Sequence, residues 1–293
     1  MVTMVTTVAA CGGKTPIGPG PNPPPPDPGP VVINPPPVIG KFTVQGTKTN
    51  EPPNFADAGE DLPISVEVTD AESSINDLKF NWSAGAGAFS GTGRSVTWNA
   101  PPTVQAPTDV TINLEIVETY TSQGKSVENK VTGSTMVSLH DSAKEVGDMS
   151  RQFLLDFSDS SIKDISYIMR NFQPDCYGTA DETNQVTDNR RNFQIIESRV
   201  DAARTTVNFG GSCPFPFRPA QRGDACSYVR TYWKSVVLRT FDDLTQGQTT
   251  IANGIDHLAA FYYRDQKRWK LCDSQYEGDA GSLRAIRIRG LVP

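Results

Sequence analysis

The placement of proline constrains the fold of this chain more than any other sequence feature. The chain has 293 residues, and 12 of its 23 prolines lie between Pro16 and Pro37. Proline fixes φ and lacks a backbone N–H, so such a run excludes helices and central strands. Residues 12–40 also carry too few large apolar side chains to form a core. We therefore expect residues 12–40 to be a disordered proline-rich tether, with packed structure from about residue 41.

Cys11 stands at the start of this tether, after Val8-Ala9-Ala10 and before Gly12-Gly13. The run resembles a bacterial lipobox, which implies that residues 1–11 are a lipoprotein signal segment ending at a lipidated Cys11. The segment lacks the Lys or Arg of an ordinary signal-peptide start, which indicates that part of it lies outside this sequence. The alternative is an ordinary free cysteine. The resemblance implies a bacterial cell-envelope protein, anchored by lipid on the periplasmic face or at the cell surface.

The other four cysteines lie close enough in sequence to belong to one domain: Cys176, Cys213, Cys226 and Cys272. An even number in an exported chain predicts two disulfides. Zinc is the alternative, but no C-x-x-C pair occurs, and the two histidines, His140 and His257, stand far from such a pattern. We therefore expect no metal at these cysteines.

The pairing of the cysteines follows from the expected strand order. Cys213 ends one strand and Cys226 opens the next, so a hairpin would bring them together and predicts a local Cys213–Cys226 bridge. By exclusion, Cys176, just past the second predicted helix, should pair with Cys272 on the final strand. That second bridge would tie the helices to the sheet.

Residues 41–140 have the alternating apolar pattern of β-strands. Ile64, Val66 and Val68 alternate with polar residues, and turn signals recur every 8 to 12 residues along this region. About seven short strands in such a stretch predict an all-β sandwich.

Two runs in this region carry a family resemblance. Residues 80–101 read FNWSAGAGAFSGTGRSVTWNAP, and residues 110–118 read VTINLEIVE. They resemble bacterial immunoglobulin-like domains related to polycystic-kidney-disease repeats, which implies a spacer, an adhesion module or an appendage on the carbohydrate side. Trp82 and Trp98 could form a sugar-stacking platform. Their phase with neighbouring apolar residues favours core positions instead.

The charge of the chain argues against nucleic acid as a partner and leaves calcium as an alternative. The net charge of -6 argues against nucleic acid, whose phosphates require basic surfaces. Residues 41–140 carry 12 acidic and 6 basic side chains, which favours a solvated acidic surface. The alternative is calcium bound near Asp70, Glu72 and Asp77.

A helical pattern begins after residue 140. Ser142-Ala-Lys-Glu145 has the form of a capping box, and Ser161-Ile-Lys-Asp164 has the form of a second helix start. Apolar residues follow the first box at helical spacing: Val146, Met149, Phe153, Leu154 and Phe157. Five strands are predicted afterwards, at residues 192–200, 205–209, 226–241, 249–264 and 269–276. Long strands with no helices between them predict a curved antiparallel sheet around the helices.

The run from His257 to Tyr276, HLAAFYYRDQKRWKLCDSQY, carries the second resemblance. It is similar to the terminal hairpin of the nuclear-transport-factor-2-like superfamily, which implies a cone-shaped domain with a pocket between sheet and helices. The implied pocket-lining residues are Trp233, His257, Phe261 and Tyr263. Asp256 and His257 are neighbours on one strand and must face opposite sides of the sheet, so they form no dyad.

The expected fold class is therefore multidomain: an all-β immunoglobulin-like sandwich at residues 41–140, followed by an α+β cone-shaped domain at residues 141–293. In this fold, two leading helices lie on a curved antiparallel sheet. We expect a non-catalytic envelope lipoprotein, with no catalytic residues and no cofactor, that serves as a scaffold for a protein partner or surface assembly. The alternatives are small-molecule binding or isomerase and dehydratase chemistry in the cone pocket, and carbohydrate binding at the surface.

Overall fold

The structure is a computed structural model that describes residues 29–46, 52–215, 219–220, 222–239 and 245–279. Strands account for 51% of these residues and helices for 17%. The strands of this part of the chain form three four-stranded sheets, one of which is a half-barrel. Cys11, the rest of the predicted signal segment and residues 12–28 of the predicted tether lie outside the described residues.

The first two sheets are built from the strands before residue 141. These are β1 (Val38–Val44), β2 (Phe55–Asp57), β3 (Asp61–Thr69), β4 (Lys79–Ala84), β5 (Ala88–Ser90), β6 (Ser95–Asn99), β7 (Thr108–Ser122) and β8 (Lys125–His140). One sheet has the order β1-β3-β6-β5 and the other the order β2-β8-β7-β4. The short β2 runs parallel to β8, whereas β7 and β8 form a long antiparallel hairpin.

The alternation predicted for β3 is confirmed, because Ile64, Val66 and Val68 are all buried. Trp98 on β6 is fully buried, and its indole N–H donates to the Ala86 carbonyl at 3.0 Å. Gly87 has φ +76°, and a Cβ at this position would lie 2.4 Å from the Trp98 Nε1. The close approach of chain and ring therefore requires glycine here.

The third sheet, formed by β9 to β12 and called the half-barrel below, follows with its helices. Their bounds are α1 (Ser142–Ser158), α2 (Ile165–Ile168), α3 (Thr179–Asn192), β9 (Phe193–Phe209), β10 (Ala225–Val237), β11 (Thr249–Tyr263) and β12 (Arg268–Gly278). The four strands pair antiparallel in chain order. A 3-10 turn at Met169–Asn171 extends α2.

Helix α1 matches its prediction closely. Val146, Phe153, Leu154 and Phe157 are buried, and Met149 packs against them. The cap lies one residue earlier than predicted, because the Asp141 carboxylate accepts the Lys144 backbone N–H at 3.0 Å. An amphipathic stripe of this kind places the helix against a sheet.

The predicted fold class, an immunoglobulin-like sandwich followed by a helix-led cone, is wrong. Most of the described chain is strand, arranged as three separate sheets with a half-barrel among them. Two full-length helices, α1 and α3, precede the third sheet, but the second predicted helix is only the single turn α2. Local side-chain bonding explains the loss: Ser161 donates its N–H and hydroxyl to Asp159, and the helix begins only at Ile165, with Asp164 as its N-cap.

Helix α3 occupies residues that sequence reasoning left without a helix. Val186 is its single buried apolar residue, so no apolar period marks it. The available signal was electrostatic. Asp181 and Glu182 lie in the first turn, while Arg190 and Arg191 lie in the last, as the helix dipole favours.

Residues 29–40 depart from the predicted disordered tether. Residues 29–37 lie along the β7–β8 hairpin, and β1 begins at Val38. The Val32 N–H donates to the Ser122 hydroxyl at 3.1 Å, and the Gln123 N–H donates to the Pro30 carbonyl at 3.2 Å. An extended proline-rich chain has few donors of its own, so a hairpin end that supplies partners is enough to hold it.

An aromatic stack joins the early sheets to the half-barrel. The rings of Phe55 and His140 are parallel with centroids 4.8 Å apart, and the Tyr262 ring meets both edge-on. The Trp269 indole N–H donates to the Ser142 hydroxyl at 3.1 Å. Strands β2, β8, β11 and β12 and the start of α1 therefore share one buried junction.

Both predicted disulfides are confirmed. Cys176 pairs with Cys272, and Cys213 pairs with Cys226. The first bridge joins the segment before α3 to β12. The second closes the loop between β9 and β10.

Removing the Cys176–Cys272 bridge should destabilise the protein more than removing Cys213–Cys226. The bridged residues are 96 and 13 positions apart, respectively. The chain-entropy estimate is about 4.7 kcal/mol for a loop of about 100 residues and about 3 kcal/mol for one of about 15. Urea unfolding of the Cys176→Ala/Cys272→Ala and Cys213→Ala/Cys226→Ala proteins measures both losses. Equal losses, or the reverse order, would contradict this expectation.

Candidate functional site

The structure separates the residues expected to line a common pocket. Trp233 lies on the helix-facing side of the half-barrel, where its ring meets Phe157 edge-on at 5.6 Å. His257, Phe261 and Tyr263 alternate on β11 and lie on the opposite side. The four side chains therefore do not form one site.

His257 occupies a small polar contact on this outer side. Its Nε2 lies 3.0 Å from the Glu277 Oε2, and its ring meets Tyr228 edge-on at 5.1 Å. The imidazole is 13% exposed, whereas the Glu277 side chain is 47% exposed. Such a half-exposed pair contributes little to stability because water screens it.

The space between the helices and the half-barrel is filled by packed side chains. Phe153, Phe157 and Phe172 meet Trp233 and other buried residues of β10, β11 and β12 there. The fully buried Asp256, neighbour of His257, faces this interior and accepts the Thr231 hydroxyl at 2.7 Å. A buried polar group normally has a hydrogen-bond partner, and Thr231 supplies one for Asp256.

Buried acid and hydroxyl also meet at the edge of this interior. The Ser274 hydroxyl donates to the Glu182 Oε2 at 2.6 Å, and the Glu182 side chain is buried. This contact anchors the polar α3 to β12. It explains how a helix with so little apolar surface docks on the sheet.

An open groove of about 710 Å³ runs along β12 beside the α2 segment. Its lining residues are Ile165, Ser166, Met169, Arg170, Phe172, Gln173, Pro174, Thr179, Thr183, Gln266, Arg268 and Lys270. Phe172 bridges to Leu271 in parallel, so the α2 segment lies against the free edge of β12. Arg170, Arg268 and Lys270 supply positive charge, and this lining contains no carboxylate among the described residues.

Internal contacts orient the groove's cations. The Arg170 guanidinium lies 4.0 Å over the Tyr167 ring, donates to the Tyr167 carbonyl at 2.7 Å and contacts the Asp156 carboxylate. The Lys270 ammonium donates to the Arg170 carbonyl at 2.8 Å. Burial, and then the nearby Arg268, lower the pKa of Lys270. A bound anion would relieve both effects.

Sequence reasoning missed this groove because its cations come from distant segments. Arg170 and Lys270 are 100 residues apart and meet only where the α2 segment lies against β12. The available signal was the alternation of Arg268 and Lys270 around the buried Trp269. That alternation places both cations on one face of the strand.

A second, polar surface lies on the outside of β4, β7 and β8, around a depression of about 570 Å³. The Asn81 amide donates to the Glu115 carboxylate there at 3.0 Å. The core position predicted for Trp98 is confirmed, because Trp98 is fully buried. Trp82 is only half-buried: it packs between Phe42 and Phe89 but also lines this depression. The two indoles therefore form no exposed stacking platform.

Comparisons with known proteins add no relatives: no protein-family model matches the chain, and no curated protein matches it. Within residues 29–46, 52–215, 219–220, 222–239 and 245–279, no helix is long and apolar enough to cross a membrane. In the same ranges, no group of at least three His, Cys, Asp or Glu side chains is placed to hold a metal.

His257→Gln should lower the free energy of unfolding by less than about 1 kcal/mol, because it removes one half-exposed contact. Trp233→Ala should cost about 3 to 5 kcal/mol, because it empties a buried core position. Urea unfolding measures both. If His257→Gln abolished partner binding or membrane-associated function at unchanged stability, the histidine would belong to a functional site after all.

Proposed function

We propose that this chain is a non-catalytic lipoprotein of the bacterial cell envelope that acts as an interaction module for a protein partner. Two features support export and anchoring. Cys11 stands in a lipobox-like run. The chain also forms two disulfides, whose cysteines a reducing cytosol would keep as free thiols.

The absence of catalysis is part of the proposal and is supported by the filled half-barrel. Asp256 is enclosed there by packed side chains, while His257 faces the other side with Glu277. General acid–base chemistry requires such groups to reach a bound substrate. Binding, in contrast, requires only an accessible complementary surface.

The observation that carries the interaction role is the cationic groove along β12. Arg268 and Lys270 line it without a carboxylate partner among the described residues, Arg170 lines it as the partner of Asp156, and the whole chain has a net charge of -6. A local reversal of charge selects partners and accelerates their encounter more than it adds raw affinity. The matching partner surface is one that carries carboxylates, which a bidentate guanidinium recognises well.

Cys11→Ser should move the protein from the membrane fraction to the soluble fraction, because the thiol is the proposed acylation site. Firm retention needs more than one acyl chain, so loss of the whole anchor should release nearly all of the protein. Immunoblots of fractionated cells measure the distribution, with Gly12→Ser as the matched control that keeps Cys11. Recovery of Cys11→Ser in the pellet at the control level would refute lipid attachment.

Arg268→Gln with Lys270→Gln should weaken capture of the partner about tenfold, equivalent to about 1.4 kcal/mol. Crosslinking and quantitative pull-down from the native membranes measure capture. Lys125→Gln with Lys130→Gln, on the distant β7–β8 hairpin, removes the same charge and should leave capture unchanged.

The same capture should weaken as pH rises through the pKa of Lys270. This pKa is lowered, so the neutral amine forms at a lower pH than in an ordinary lysine. If the Arg268→Gln/Lys270→Gln and Lys125→Gln/Lys130→Gln proteins lost capture equally, or if neither lost any, the groove would not belong to the binding surface.

A further inference from the structure

A buried group of oxygen atoms lies where residues 29–37 cross the β7–β8 hairpin. At its centre is Glu118 on β7, whose side chain is 1% exposed. The Asn34 amide donates to Glu118 Oε1 at 2.6 Å, and the Asn129 amide donates to Glu118 Oε2 at 3.1 Å. The Ser73 hydroxyl also donates to Glu118 Oε1. All three donors are neutral amide or hydroxyl groups.

A second carboxylate joins this group through Ser73. Asp70 Oδ1 accepts the backbone N–H of Ser73 at 2.6 Å and that of Glu72 at 3.0 Å. Ser73 therefore donates to both carboxylates at once, through its N–H to Asp70 and through its hydroxyl to Glu118. The two carboxyl groups are thus bridged by a single residue, and neither has an ion-pair partner among the described residues.

Two oxygens of this group are buried without a hydrogen-bond donor among the described residues. One is Asp70 Oδ2, and the other is the amide oxygen of Asn34, a side chain that is 9% exposed. A buried acceptor without a donor is costly, and a buried carboxylate costs far more. Asn34 is hydrogen-bonded to Glu118, and Asp70 is linked to Glu118 through Ser73, so both unpaired oxygens belong to one hydrogen-bonded group.

We propose that Glu118, Asp70 and Asn34 bind a calcium ion. Carboxylate and amide oxygens without nitrogen or sulfur are the ligands of a hard cation, and calcium accepts the irregular geometry of such a site better than magnesium. The ion would give both unpaired oxygens a partner, with water filling its remaining positions.

The proposed site differs from the one expected from sequence. Asp70 remains, but the Glu72 and Asp77 side chains are exposed and contribute no ligand. Glu118 and Asn34 replace them, from strands and segments distant in the chain. Since Asn34 belongs to the segment that leads from Cys11, calcium would hold that segment to the folded body and set where the anchor leaves it.

Calcium titration of the purified full-length protein, stripped with EDTA, tests the site. Isothermal titration should show saturable binding at micromolar to millimolar calcium, and calcium should raise the unfolding temperature. Amide hydrogen exchange in residues 29–37 should slow on calcium addition. Magnesium at the same concentration should produce a much weaker response.

Glu118→Gln and Asp70→Asn should each lower calcium affinity at least tenfold, and Asp77→Asn, an exposed acid nearby, should leave it unchanged. Two independent variants protect the test against misfolding of either, which circular dichroism checks. Unchanged affinity in both variants, the same loss in Asp77→Asn, no saturable binding by the wild-type protein, or an equal response to magnesium would each overturn the proposal.

Discussion

The imidazole of His140 connects the end of β8, the start of α1 and strand β11, and the arrangement of the sheets depends on it. The ring is fully buried between Phe55 and Tyr262. Its Nδ1 lies 3.0 Å from the Glu145 carboxylate, and its Nε2 lies 3.2 Å from the Tyr262 hydroxyl. A buried polar ring needs partners for both nitrogens. Helix α1 supplies one through Glu145, and Ser138 of β8 and Tyr262 of β11 both lie 3.2 Å from the other.

The cationic groove depends on that arrangement through β12. The junction positions Trp269, whose neighbours Arg268 and Lys270 then face the α2 segment. The Cys176–Cys272 bridge holds the segment before α3 against the same strand. At Gly178, a Cβ would lie 2.5 Å from the Asp273 side chain, so only glycine lets this turn approach β12 so closely. The groove wall is therefore positioned by covalent and steric constraints, which makes it a preformed surface.

The buried oxygen atoms around Glu118 position residues 29–37 in a similar way. Composition alone describes residues 29–37 correctly as chain that cannot form a core of its own. Asn34 nevertheless becomes buried, because the hairpin end offers a carboxylate that needs donors. A segment can thus be ordered by polar contacts supplied entirely from elsewhere in the fold, which no local pattern reports.

The sequence by itself determined the buried face of α1 and the alternation of β3, because the apolar period acts over neighbouring residues. It also determined the local Cys213–Cys226 bridge, which leaves Cys176 and Cys272 to pair with each other. Tertiary structure decided the rest. Helix α3 forms with one buried apolar residue because its Glu182 accepts a hydrogen bond from Ser274 on β12. Trp233 and His257 fall on opposite faces, and Arg170 meets Lys270 across 100 residues of sequence. Sheet curvature and docking between distant segments set these contacts, and both arise from burial and hydrogen bonding that single-sequence periodicity does not encode.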